Sequence, residues 1–149
     1  CIRDRYGTCS IADTDVALLK PLTYMNLSGR SVRPAQKALG LPIDRVIVVH
    51  DEIDLEFGRI QIKHGGGCAG HNGLKSIREV AGSPDFVRVR MGVGRPDPDD
   101  RRPIRDWILQ PFAADRVVEP LYDASIDAVT SIVRDGVRAA MNSSNVRES

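Results

Sequence analysis

Two short runs, residues 6–11 and 16–20, flank the polar stretch Ala12-Asp13-Thr14-Asp15 and predict a pair of strands joined by a turn. After a loop closing at Ser28-Gly29, residues 31–39 carry a helical pattern. Pro34 falls in the expected first turn, Gly40 follows the last turn and Pro42 bars continuation. Arg45-Val46-Ile47-Val48-Val49 is β-branched without alternation, the pattern of a strand covered on both faces. Arg59-Ile60-Gln61-Ile62-Lys63 alternates polar and apolar, as a half-exposed strand does. A glycine loop through Gly70 then leads into a helix from His71-Asn72 to about Val80, ended by Gly82-Ser83-Pro84. Phe86-Val87-Arg88-Val89-Arg90-Met91 alternates again, with both arginines on one face. A polar loop (96–103), a short helix (104–109) and one long amphipathic helix (118 to about 141) complete the pattern. In that last helix Leu121, Ser125, Ala128, Ile132 and Gly136 share one stripe, and the tail from 142 to 149 is expected to fray.

Strands mixed with helices predict an α/β fold built as a single domain over residues 1–149. A 149-residue chain with 42% apolar residues is enough for one core. No apolar run approaches the roughly 18 residues a membrane span needs, so no membrane partner is expected. Three cysteines, Cys1, Cys9 and Cys68, are too few and of the wrong parity for a disulfide framework. They point to a reducing compartment, the cytoplasm. The formal net charge is +1, yet between 59 and 95 the charges are uneven. Arg59, Lys63, Lys75, Arg78, Arg88, Arg90 and Arg95 face only Glu79 and Asp85. That stretch is either a face for a polyanion or ordinary solvated charge.

Polar residues close apolar elements in three places: Lys20 to Gly29, His50 to Leu55, and the glycine loop through Gly73. Ligands of open α/β sheets bind beyond the carboxyl ends of strands, where Asn26 and Asp51 are expected. Each has a plainer reading, Asn26 as a turn residue and Asp51 as a helix cap or the partner of an arginine. Gly65-x-Gly67-x-x-Gly70 imitates a dinucleotide fingerprint, but the next strand ends Arg90-Met91-Gly92, without the acid that holds a ribose. Gly70-His71-Asn72 lacks the Lys-Ser/Thr of a triphosphate loop, and no Gly-x-Ser-x-Gly elbow occurs. His64-x3-Cys68-x2-His71 has zinc-like spacing, but a glycine loop does not preset a tetrahedron, so no metal is expected. What remains is a helix start with free backbone N–H groups, an Asn able both to donate and to accept, and an Asp able to orient an imidazole.

These segments resemble the bacterial-type peptidyl-tRNA hydrolases. Lys20-Pro21-Leu22-Thr23-Tyr24-Met25-Asn26-Leu27-Ser28-Gly29 is similar to that family's K-P-x-T-Y-M-N-x-S-G segment. His50-Asp51-Glu52-Ile53-Asp54-Leu55-Glu56-Phe57-Gly58 is similar to its H-D-E-L-D-L-P-F-G segment. Gly65-Gly66-Gly67 through Gly70-His71-Asn72-Gly73-Leu74-Lys75 matches its glycine loop, and Phe86 to Pro96 its F-x-R-x-R-I-G-I-G-R-P strand. Trp107-Ile108-Leu109 stands where the family carries a lid segment. The resemblance implies a three-layer, phosphorylase/hydrolase-like domain with a mixed, mostly parallel sheet flanked by helices. It implies a monomer that cleaves the ester of peptidyl-tRNA without metal or cofactor and returns tRNA to translation. Carried over by motif, Asp51 orients the base, Asn26 binds near the ester, and His71 and Asn72 line the site. Tyr24 meets the tRNA end, and Lys63 and Arg90 take its phosphates.

One departure stands out. The family's opening strand, its G-L-G-N-P-G loop and its R-H-N segment with the catalytic His have no counterpart here. With no Met at position 1, the expectation is an N-terminally incomplete form; a non-catalytic tRNA-binding relative is the alternative. His71 is then the candidate for a substitute base.

Overall fold

The apolar run ending at residue 49 forms, among the described residues, an edge strand of the central sheet and is half-buried rather than covered on both faces as expected. The computed structural model describes residues 4–145. β1 (Arg5–Ile11) and β2 (Thr14–Lys20) form an antiparallel hairpin, a two-stranded sheet of their own. The expected four-residue turn is only two residues long. Ala12 and Asp13 both adopt positive φ (48° and 61°), the geometry that matches the twist of paired strands. Asp4 fastens this hairpin to the first helix, accepting from Leu22 N and Ser31 Oγ, both at 3.0 Å.

A 3-10 turn, Met25–Leu27, runs into α1 (Gly29–Leu39). This helix starts two residues earlier than its apolar pattern suggests, which moves Pro34 out of the first turn into the helix interior. The central sheet contains β3 (Ile47–Glu52), β4 (Ile60–His64) and β5 (Val87–Gly92) in the order β3-β5-β4, β3 parallel and β4 antiparallel to β5. The α/β expectation holds: the sheet is mixed and helices flank it. On one face α1 and α2 (Asn72–Ala81) pack Val32, Leu74 and Ile77 against Val46, Val48 and Phe86. On the other, α4 (Glu119–Asp135) and α5 (Val137–Asn145) bring Ala128, Ile132 and Ala140 onto Ile62, Val87 and Val89. α3 (Ile104–Ile108) is a single short turn.

Two expectations about the C-terminal region are corrected. The single long helix is broken at Gly136, whose φ of 87° and ψ of 161° fit neither α4 nor α5. The buried stripe therefore stops at Ile132. Of the tail expected to fray, residues 142–145 are helical, and the rest lie outside the described residues. Asn145 is the reason. Its side chain donates to Ile62 O (3.0 Å) and accepts from Ile62 N (3.2 Å), closing the open edge of β4 as a neighbouring strand would. Asn145→Ala leaves both backbone groups unpaired and is expected to cost about 1–2 kcal/mol. Thermal melting checks this; an unchanged midpoint would refute the capping role.

Candidate active site

Asp51 comes at the carboxyl end of β3, paired in register with Met91 of the parallel β5. His71 precedes α2 and caps it. Its Nδ1 accepts from Gly73 N (3.1 Å) and Leu74 N (3.3 Å). Two donors on Nδ1 mean that this nitrogen carries the lone pair, so the ring proton belongs to Nε2. Nε2 in turn points at Asp51 Oδ1, 3.3 Å away. The carboxyl of Asp51 is held below its usual pKa, first by this donor and against the opposing effect of burial. It is therefore an ionised acceptor across the working pH range.

The 3-10 turn approaches the same point. A Cβ added to Gly73 would lie 2.7 Å from Met25 Sδ and 2.9 Å from His71 Cε1. Gly73 thus lets the turn, the cap and the helix start close together, and Asn26 follows Met25 on that turn. Asn26 and Asn72 are both exposed. Tyr24, just before the turn, leaves 83% of its surface to solvent. The segments carrying Asn26, Asp51, His71 and Asn72 thus come together. An apolar groove of about 1240 Å³ runs from the hairpin along β3 to His50, Asp51 and His71. β3 has no strand beyond it among the described residues, and Val49 is 47% exposed on this side.

Part of the basic stretch is held inside the fold or in ion pairs. Arg88 is buried to 2% exposure, so the half-exposed strand expected at 86–91 is in fact a central, covered one. Arg90 gives Nε (3.0 Å) and Nη2 (2.8 Å) to Glu52 Oε2 and Nη1 to Gln61. Arg95 pairs with Asp54. Lys63 and Lys75 are exposed; Lys63 lies over Gly66, whose Cβ position would be 2.8 Å from Lys63 Cε. Of the two residues expected to take phosphate, Lys63 is exposed and Arg90 already has an anionic partner. Among the described residues no three His, Cys, Asp or Glu side chains cluster as metal ligands. His64 instead bonds Asp85 O at 3.0 Å.

The sequence motifs contain Met25, His50, Glu52 and Arg88 but gave them no role at the site. The period of two was the available signal for His50 and Glu52, since it puts both on one face of β3 beside Arg90.

Fold and site together define an α/β protein whose polar crevice, an imidazole–carboxylate pair, opens where strand ends and a glycine loop meet. The peptidyl-tRNA hydrolase family model matches residues 2–149, and the chain belongs to that family. Among curated relatives, peptidyl-tRNA hydrolase of Solidesulfovibrio magneticus is 47% identical over 126 residues, 83% of this chain and 58% of its own length. That of Sorangium cellulosum is 44% identical over 144 residues, 95% of this chain and 65% of its own. The crystal structure of peptidyl-tRNA hydrolase from Acinetobacter baumannii superposes with a TM-score of 0.83 at 34% identity. That superposition covers 97% of this chain and 73% of the other. The chain spans about three-fifths of the length of these two curated relatives. No helix of the described residues is long and apolar enough to cross a membrane.

Proposed function

We propose that this protein hydrolyses the ester joining a peptide to tRNA in peptidyl-tRNA, freeing tRNA for further translation and clearing abandoned chains. It acts as a cytoplasmic monomer without metal or cofactor. The observation that carries the reading is the His71–Asp51 contact, set where three family motifs converge. Asn26 and Asn72 flank it with exposed amides. An amide donor to the developing oxyanion contributes about 3 kcal/mol, and Asn72 is suited to grip the peptide main chain. Tyr24 offers an open ring on which a terminal base stacks. Lys63 supplies a phosphate contact that positions tRNA without reading its sequence.

His71 acts as donor and cap rather than as the base. Its Nδ1 is occupied by two N–H groups and its Nε2 holds the proton toward Asp51. Asp51 is the group left to orient the attacking species, with 34% of its side chain open to solvent.

Incubation with N-acetyl-aminoacyl-tRNA, following free tRNA, tests the proposal. Release proportional to folded protein is expected, together with tRNA retention that weakens as salt rises. No release combined with no salt-sensitive retention would overturn it.

A further inference from the structure

Arg88 is the largest fully buried side chain in the fold, and it lies outside the crevice. Its Nη1 donates to Gly67 O and its Nη2 to Gly66 O (2.8 Å), while Cζ stands 4.6 Å over the Phe86 ring centroid. The guanidinium therefore clasps the middle of the glycine loop. The loop's far end is His71. One nitrogen is left over: Arg88 Nε has no partner.

His50 has the complementary shortage. Its Nδ1 lies 2.8 Å from Asp51 O, an acceptor, so Nδ1 carries the proton and Nε2 keeps a lone pair. Nε2 is buried and also unpartnered. Burial, the largest influence on this ring, lowers its pKa and keeps it neutral. Register puts both residues on one sheet face, Val48 opposite Arg88 and His50 opposite Arg90. Both line one cavity of about 40 Å³, together with Lys63, Cys68 and Arg90. A single water needs about 10–15 Å³ and two to four polar partners. An anion would meet the lone pair of His50. A molecule that accepts from Arg88 and donates to His50 suits both.

We propose that Arg88 is a positioning residue for the Asp51–His71 pair, clamping the glycine loop through Gly66 and Gly67 and sharing one buried water with His50 Nε2. It reaches the pair by two routes. One is the loop, which ends in the His71 cap. The other is the His50 ring, which anchors the Asp51 carbonyl and packs edge-on to His71 with centroids 5.0 Å apart. The kinetic part of the test rests on the hydrolase reading; the spectroscopic part does not.

The experiment is imidazole ¹⁵N NMR on the wild-type chain and Arg88→Lys. In wild type, His50 is expected as the Nδ1–H tautomer, with Nε2 accepting a hydrogen bond, and His71 as the Nε2–H tautomer. Arg88 Nε–H is expected to show a cross-peak to a long-lived water. Lysine keeps the charge, but its three donors radiate from one nitrogen and cannot span two carbonyls and the His50 water as the planar guanidinium does. In Arg88→Lys the His71 tautomers are expected to average, and amide exchange at Gly73 and Leu74 to quicken about tenfold, with melting still cooperative. In turnover, kcat falls about tenfold with KM nearly unchanged, as misplacement of a reacting group requires. A proton on His50 Nε2, or no water cross-peak in wild type, overturns the proposal even where the variant does not fold. So does a folded variant with wild-type His71 signals. Absent turnover alongside the expected spectra would count against the hydrolase reading alone.

Discussion

Gly29→Ala is expected to destabilise the fold by about 3 kcal/mol, although alanine ordinarily favours a helix over glycine by about 1 kcal/mol. Position 29 opens α1 where that helix meets α2 almost backbone to backbone. An added Cβ would stand 2.3 Å from Ser76 O, 2.8 Å from Ser76 C and 2.9 Å from Val80 Cγ2. Two of those three atoms are backbone, so no rotamer change relieves the overlap. The helices must separate, and the bond from Gly29 N to Ser76 Oγ, 2.9 Å long and buried, is lost with the movement. The 3-10 turn bearing Asn26 leads directly into α1, so its approach to His71 loosens at the same time. Urea unfolding measures the effect. A variant within about 0.5 kcal/mol of wild type, the usual range for surface substitutions, would show that the interface has more room than these distances allow.

The elements were readable from periodicity because most of them are ordinary: a β-branched run in β3, alternation in β4, a glycine after α1 and after α2. The departures share a cause: each depends on contacts remote in the chain. Alternation in β5 looks half-exposed, because a buried arginine and a solvated one spell the same pattern. Only the carbonyls of Gly66 and Gly67, brought across from the loop, make burial of Arg88 tolerable. Gly136 extends a stripe of small and apolar residues at helical spacing, and nothing local distinguishes a glycine inside a helix from one that ends it. Ala12 and Asp13 adopt left-handed backbone without being Gly or Asn, so the tight hairpin left little signal.

In the candidate site, motif order placed the segments, while the state of each group came only from geometry. Histidine is not among the favoured N-caps, so the cap that fixes the His71 proton on Nε2 was invisible in the sequence. The surplus of positive charge between 59 and 95 was visible, but the engagement of Arg90 by Glu52, of Arg95 by Asp54 and of Arg88 by loop carbonyls was not.

Asp51→Asn is expected to slow tRNA release about 10²-fold or more, at near-constant affinity for tRNA. The substitution is nearly isosteric and keeps an oxygen for His71 Nε2–H, so geometry is largely retained and the charge alone is removed. That charge sits beside the imidazole and at the end of a strand. There, in the proposed reaction, it accepts from His71 Nε2–H and orients a polar reactant. The tRNA contacts proposed for Tyr24 and Lys63 belong to other segments, so a filter-binding titration should barely move while single-turnover release collapses. The pH profile gives a second check with a definite sign. The depressed pKa of Asp51 keeps it ionised down to and below the usual aspartate range of about 3.8, so it contributes no acid limb above that value. Acidification acts earlier on stability through His50. Its folded pKa is lowered, so the unfolded chain takes up the proton first, and stability declines as pH falls below the ordinary 6.5. A fall in wild-type rate between pH 6 and 5 that is not matched by loss of folded protein would therefore belong to a group other than Asp51. Full activity in Asp51→Asn would remove the carboxylate from the mechanism altogether.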